Sequence, residues 1–126
     1  MNSFSGADPE INAAIEEAQR RLPEFRRALD IDARRLIPQI EGSLVKARFE
    51  SVITHKVEHM WVEDAGFDGD MIVGTLASEP QDIPDHSRGD WVTISPKAVS
   101  DWAYREGGCT FGGFTIRIMQ RRGLPW

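Results

Sequence analysis

The sequence predicts an α+β domain in which an N-terminal amphipathic helix packs on a strongly bent, small-barrel-like antiparallel sheet of about five strands. Three observations predict this class: a helical repeat of apolar residues near the N-terminus, strand-like apolar runs after Gly42, and an Asp-Gly pair between two of those runs. The chain has 126 residues, 40% of them apolar, which suffices for one domain with its own core. We therefore predict a single domain over residues 1–126, with a helical arm over 8–29 and a β-rich core over 43–119.

The N-terminal helix is predicted from its cap and its periodicity. Asp8 can accept hydrogen bonds from the first backbone N–H groups, and Pro9 suits the first helical position. Pro23 should end or kink the helix, with a shorter helix restarting there, and residues 30–42 are interpreted as a connection. The apolar residues at helical spacing are Ile11, Ala14, Ile15, Ala18 and Leu22.

The strands are predicted from short runs rich in apolar and β-branched residues. Asp68-Gly69 lies between two of these runs, which is typical of a tight hairpin, and residues 78–90 are predicted to form a surface loop. Residues 114–122 fit either a strand or a short C-terminal helix, and both interpretations stay open. The predicted strands include Leu44–Phe49, Val57–Val62, Met71–Leu76, Trp91–Ile94 and Asp101–Tyr104.

The acidic excess of the chain lies in its middle segment. Residues 41–80 hold eight acidic and three basic residues, which accounts for the whole net charge of −5. Such a surface can steer a basic protein partner, although small proteins also carry net charge for solubility alone. The acidic balance argues against nucleic acid, which requires clustered Lys and Arg.

The same composition bounds the cellular setting. Apolar runs of a few residues are far shorter than the roughly 20 residues that span a bilayer, and the first ten residues lack a signal-peptide pattern. The single cysteine, Cys109, excludes an internal disulfide and fits a reducing compartment. We therefore expect a cytoplasmic protein that contacts no membrane.

One string has the form of a catalytic motif. His55-Lys56-Val57-Glu58-His59 matches H-x-x-E-H, in which two histidines one helical turn apart bind zinc while the glutamate activates water. That chemistry requires a helix, whereas the β-branched residues around the string favour a strand. We therefore predict no catalytic residue, no metal ligand and no cofactor, and a zinc-dependent hydrolase stays an alternative.

Several strings, taken in order, resemble the YegJ-like bacterial proteins of unknown function, from about Asp8 to Met119. The resemblance implies a small α+β domain without an established reaction. The resemblance further implies that some relatives lie in polymorphic-toxin neighbourhoods, where small acidic proteins serve as immunity factors. The strings that carry the resemblance include Val45–Phe49, Glu58–Val62, Phe67–Asp70, Gly74–Leu76, Ser100–Trp102 and Gly112–Thr115.

The family resemblance also implies structural roles for some motif residues. It implies that Trp61 and Trp102 fill the core, that Gly74 allows a bend and that Asp101 ties a turn.

These observations together predict a non-enzymatic protein-binding domain, and specifically an immunity protein that neutralises a cognate bacterial toxin by direct binding. The acidic side chains would meet basic toxin residues, while Trp126 would either anchor the partner or dock back on the sheet. A housekeeping module with another partner stays a further alternative. The predicted partner-binding residues are Glu58, Glu63, Asp64, Asp68, Asp70 and Trp126.

Overall fold

The computed structural model describes residues 8–126 and, within them, places three helices against one antiparallel sheet of six strands. The α+β class and the N-terminal helix are therefore confirmed. The helices are α1 (Pro9–Arg20), α2 (Leu22–Ala33) and α3 (Phe114–Arg121). The strands are β1 (Ile40–Glu50), β2 (Val57–Asp68), β3 (Met71–Leu76), β4 (Trp91–Ile94), β5 (Val99–Glu106) and β6 (Cys109–Gly112).

The six strands lie in the order β4-β3-β2-β1-β5-β6, and each pairs antiparallel with its neighbours. The sheet has one strand more than expected, and it is open rather than barrel-like because β4 and β6 lie at opposite edges. The additional strand is β6, whose sequence is short and flanked by glycines and therefore carries little strand signal.

The cap at Asp8 and the position of Pro23 account for the starts of the two N-terminal helices. The Asp8 side chain accepts a hydrogen bond from the Ile11 N–H at 3.1 Å, as its sequence position predicts. Pro23 lies in the first turn of α2, where its missing N–H leaves no helical bond broken. Helix α2 continues to Ala33, so the connection is shorter than 30–42. Asp32 closes it by accepting from the Gln39 N–H at 2.6 Å.

Helices α1, α2 and α3 and one face of the sheet share a single apolar core. Trp102 of β5 lies at its centre, as the family resemblance implies. Its ring stacks on Phe25 of α2 at a centroid distance of 5.2 Å, and its indole N–H donates to the Ala18 carbonyl of α1 at 3.0 Å. One side chain therefore joins helices α1 and α2 to the sheet.

The opposite face of the sheet, called here the outer face, carries polar and aromatic residues. The register places Lys46 of β1 between Trp61 of β2 and Asp101 of β5. Trp61 therefore lies on the outer face and is partly exposed, so its expected place in the core is wrong. The alternation of β2 puts Val62, not Trp61, on the core side.

Gly74 permits a close approach rather than a bend. A Cβ at this position would lie 2.6 Å from Val62 Cγ1 and 2.8 Å from the Glu63 carbonyl oxygen, so only glycine lets β3 lie this close to β2. Within residues 8–126, no helix has the length and apolar content that a bilayer crossing needs.

Candidate functional site

A groove of about 630 Å³ lies on the outer face of the sheet, between strands β1, β2, β5 and β6 and helix α3. Leu44 and Ala103 are paired in register and form part of its floor. Glu63 and Asp64 line the β2 side, and the half-exposed Trp126 lies at its margin. Arg105 of β5 and Arg117 of α3 line the side away from β2. The groove thus has an acidic side, a basic side, an apolar floor and an aromatic margin.

A β-bulge in β2 positions the acidic side of the groove. The register between β2 and β3 shifts between Glu63 and Gly66, and Asp64 adopts a left-handed backbone with φ of 52°. Such a conformation costs a residue other than glycine about 1–3 kcal/mol, and bulges re-aim the side chains that they carry. The Ser43 hydroxyl supports the bulge by donating to the Ala65 carbonyl at 2.8 Å.

The C-terminal residues return to the sheet and dock on Trp61. The Leu124 N–H donates to the Met119 carbonyl at 2.9 Å, which closes the end of α3. The Trp61 indole N–H then donates to the Trp126 carbonyl, and the two rings pack edge to face at 6.4 Å. Trp126 keeps 48% of its surface exposed. It therefore both docks on the sheet and presents an aromatic face to solvent.

The structure divides the six predicted partner-binding residues among three places. Glu63, Asp64 and Trp126 share the outer-face groove. Glu58 lies near the other end of β2, where its carboxylate accepts from the Gln81 N–H at 3.0 Å and so holds the loop before β4. The remaining two acids, Asp68 and Asp70, lie at the β2–β3 hairpin, ten strand residues or about 33 Å beyond Glu58.

The groove residues that sequence reasoning did not identify include Leu44, Ala103, Arg105 and Arg117. They come from β1, β5 and α3 and meet only through the pairing of β1 with β5 and the placement of α3. A count of charges along the chain carries no such information.

A buried carboxylate fixes α3, and with it one side of the groove. Asp101 accepts hydrogen bonds from the N–H groups of Phe114 at 3.0 Å and Thr115 at 2.9 Å, and from the Thr115 hydroxyl at 2.5 Å. These are donors of the first turn of a helix that has no side-chain cap of its own. Asp101 therefore ties this turn, as the family resemblance implies, and residues 114–121 are helix.

Lys46 of β1 is paired in register with Asp101 of β5 on the outer face of the sheet. Only 4% of its surface is exposed, and its Nζ lies 5.4 Å from the centre of the Trp61 ring. Burial lowers the pKa of Lys46 to about 8, while the Asp101 carboxylate acts in the opposite direction. The buried ammonium group of Lys46 therefore interacts electrostatically with Asp101, the residue that caps α3.

Comparison with known proteins identifies a family and two similar proteins. Residues 8–124 match the model of a family described as an uncharacterized protein conserved in bacteria (DUF2314). The chain belongs to this family. The resemblance to YegJ-like proteins is likewise confirmed, since YegJ of Escherichia coli strain K12 is 30% identical over 61 residues, which are 48% of this chain and 40% of YegJ.

A second relative is longer than this DUF2314 domain. A protein of Neisseria meningitidis serogroup B, whose name describes it as an ankyrin repeat protein, is 34% identical over 116 residues. The match covers 90% of this chain and 46% of that protein, so the chain spans less than half the length of the curated relatives it matches. No solved structure matches the chain.

The H-x-x-E-H string of this DUF2314 chain lies in a turn and a strand. His55 occupies the β1–β2 turn with φ of 62°, whereas Glu58 and His59 are consecutive residues of β2 and point to opposite faces. The one-turn helical spacing that the motif requires is therefore not formed. Within the described part of the chain, no group of three or more His, Cys, Asp or Glu residues is arranged to hold a metal.

His59 is expected to make the stability of this DUF2314 domain depend on pH. Burial, with Lys46 and Arg48 nearby, lowers its pKa from 6.5 to about 4. The unfolded chain therefore binds a proton at His59 between about pH 6.5 and pH 4 while the native chain does not, so the free energy of unfolding falls as pH falls through this window. At 1.36 kcal/mol per pKa unit, the full loss is about 3 kcal/mol.

Urea unfolding at pH 7 and pH 4.5 measures this contribution. His59→Gln cannot titrate, so the wild-type protein should lose about 2–3 kcal/mol more than this variant between the two pH values. Equal losses in both proteins would show that His59 is not the source, since the carboxylates with lowered pKa values are common to both.

Proposed function

We propose that this DUF2314 domain is a non-enzymatic protein-binding module that neutralises a cognate bacterial toxin by covering part of its surface. The observation that carries the proposal is the meeting of Glu63, Asp64 and Trp126 at one groove. Exposed carboxylates attract a basic partner and speed its association, and a tryptophan is among the best anchors at the desolvated centre of an interface.

The preformed groove favours tight binding. Asp64 is held in a left-handed conformation at a bulge, and Trp126 is held on Trp61, so these groups have little freedom to lose on association. Their positions in one groove with Leu44 allow a partner segment to contact charge and apolar surface together. This arrangement fits a protein ligand with a basic side chain next to an apolar one.

Two further observations support the proposal. The Neisseria relative is named for ankyrin repeats, a class of stacked repeats that form extended binding surfaces, which supports a setting of protein–protein contacts. The single cysteine, Cys109, is exposed, which suits a reducing compartment, and we place the encounter with the toxin in the cytoplasm of the producing cell.

Co-expression with the product of the adjacent gene, taken as the candidate effector, tests the proposal. We expect cells that produce the effector to grow only when this chain is also produced. Equal killing with and without this chain would contradict the immunity role and would favour a housekeeping module. Zinc at one equivalent in protein purified without chelator, lost in His59→Ala, would instead favour the hydrolase.

Trp126→Ala is expected to abolish most of this protection. Removing an interface anchor typically costs about 2 kcal/mol or more, which corresponds to roughly a 30-fold increase in Kd. Trp91→Ala is the matched control, because Trp91 is an exposed tryptophan on β4, away from the groove. Growth rescue and the Kd for an inactivated effector measure both variants. An unchanged Kd in Trp126→Ala, or an equal loss in Trp91→Ala, would exclude the groove as the binding site.

A further inference from the structure

The basic side of the outer-face groove is not explained by the attraction of a basic partner. Arg105 of β5 and Arg117 of α3 both line the groove and are exposed. Arg105 makes a long hydrogen bond to the Thr110 hydroxyl at 3.5 Å, and the Arg117 guanidinium carbon lies 5.8 Å from the centre of the Phe114 ring. Within residues 8–126, neither guanidinium group is paired with a carboxylate. Both groups therefore keep their capacity to bind an anion.

The other arginines at the end of α3 are used within the chain. Arg121 pairs with Glu10. Arg122 pairs with Asp8 and Glu10. These ion pairs hold the end of α3 on the start of α1, so the charges of both arginines are already compensated. Arg117 belongs to the same helix one turn earlier, and its charge is left for the groove.

The strand register separates the two signs of charge in the groove. Glu63 is paired with Leu44 of β1, and Leu44 is paired with Ala103 of β5, so the acidic side lies two strand spacings from β5, about 10 Å. Arg105 lies two residues further along β5, which adds about 7 Å in the perpendicular direction. The backbones at Glu63 and Arg105 are therefore roughly 12 Å apart, with the apolar floor between them.

We infer that the groove binds an extended segment of its protein partner in which a basic and an acidic residue lie four positions apart, with an apolar residue midway. Four residues of extended chain span about 13 Å, and alternate residues face the same side. The basic residue meets Glu63 and Asp64, and the apolar one covers Leu44. The acidic residue meets Arg105 and Arg117, whose planar groups suit a carboxylate.

The two arginines make the groove selective among basic partners. A segment that carries only basic residues would satisfy Glu63 and Asp64 but would bring positive charge towards Arg105 and Arg117, and like charges repel. An acidic residue at the correct spacing replaces this repulsion by attraction. The segment belongs to the partner of the proposed function, so the inference rests on that function and names the chemistry bound at the same groove.

Selection of random peptides displayed on phage tests the inference without the effector. We expect the wild-type chain to enrich peptides with a basic, an apolar and an acidic residue at alternate positions. Gly42→Leu provides a blocked groove, because Gly42 lines it and a Cβ there would meet no atom within 4 Å. A leucine side chain therefore enters the groove without a clash at its Cβ, and the enrichment should be lost.

A synthetic copy of the enriched peptide then measures the role of the arginines by calorimetry. Replacing its acidic residue by glutamine should weaken binding to the wild-type chain by roughly fivefold. The same replacement should have no effect with Arg105→Gln/Arg117→Gln, because the charges that the acidic residue meets are then absent. Arg27→Gln/Arg34→Gln is the matched control and should behave as the wild type, since it removes two exposed arginines that do not line the groove.

All variants are first checked for an unchanged thermal unfolding midpoint, and the arginine variants decide the question even where Gly42→Leu does not fold. Enriched peptides that Gly42→Leu blocks but that carry no acidic residue would overturn the inference and leave the proposed function standing. Peptides that bind Gly42→Leu as well as the wild type would overturn both the inference and the groove as the binding site. An acidic residue whose replacement weakens binding to Arg105→Gln/Arg117→Gln as much as to the wild type would also overturn the inference.

Discussion

Replacing Asp101 by alanine is expected to lower the free energy of unfolding by about 3–5 kcal/mol. The carboxylate accepts from the N–H groups of Trp102, Phe114 and Thr115 and from the Thr115 hydroxyl, with donor distances of 2.5–3.0 Å. Alanine would leave these donors buried without an acceptor, and each unsatisfied group costs about 1–3 kcal/mol. The loss would also leave Lys46 buried without its neighbouring negative charge.

Thr115→Val gives the graded comparison for this effect. It removes only the hydroxyl and keeps the volume of the side chain, so the expected cost is about 1 kcal/mol. Urea unfolding of both variants, followed by circular dichroism at 222 nm, measures the difference. A cost for Asp101→Ala no larger than that for Thr115→Val would contradict the role of the carboxylate as the cap of α3.

Gly112→Ala is expected to be nearly as destabilising, by about 2–5 kcal/mol. A Cβ at this position would lie 2.2 Å from the Trp102 carbonyl oxygen and 2.6 Å from Trp102 Cε3, and the backbone φ of 82° already disfavours any side chain. The left-handed conformation costs about 1–2 kcal/mol, and the forced shift of β5 or the Trp102 ring adds about 1–3 kcal/mol. Trp102 has no free space to move, because it is packed between α2 and α3.

Gly108→Ala separates the cost of the left-handed backbone from the cost of the contact with Trp102. Gly108 lies in the same β5–β6 hairpin with φ of 77°, but a Cβ there meets no atom within 4 Å. It should therefore cost only the conformational part, about 1–2 kcal/mol. Thermal and urea unfolding of the two variants provide the comparison. Equal destabilisation would show that contact with Trp102 does not limit this position.

The elements that the sequence predicted well are those with local causes. The cap at Asp8, the break at Pro23 and the Asp68-Gly69 hairpin each depend on residues a few positions apart. Helix α3 could not be distinguished from a strand, because its cap is Asp101, a residue of β5 that lies 13 positions before Phe114. Apolar periodicity alone does not contain that contact.

The candidate site shows the same division. Glu63, Asp64 and Trp126 could be named from charge and composition, but Glu58 was grouped with them although its carboxylate holds the loop at Gln81. An extended strand rises by about 3.3 Å per residue. Acidic residues several positions apart in one strand are therefore too far from each other to form one acidic surface patch. The predicted acidic residues therefore lie in three separate places, at the groove, at the loop that Glu58 holds and at the β2–β3 hairpin.

Calorimetric titration of the purified chain into the inactivated effector, at low and high salt, tests the central claim most directly. Glu63→Gln/Asp64→Asn changes the groove, and asparagine tolerates the left-handed backbone at position 64. Asp68→Asn/Asp70→Asn makes the same charge change at the hairpin. We predict salt-sensitive binding that the groove pair weakens by roughly tenfold or more and the hairpin pair leaves unchanged. No binding by the wild-type chain, or an equal loss in both pairs, would contradict the account.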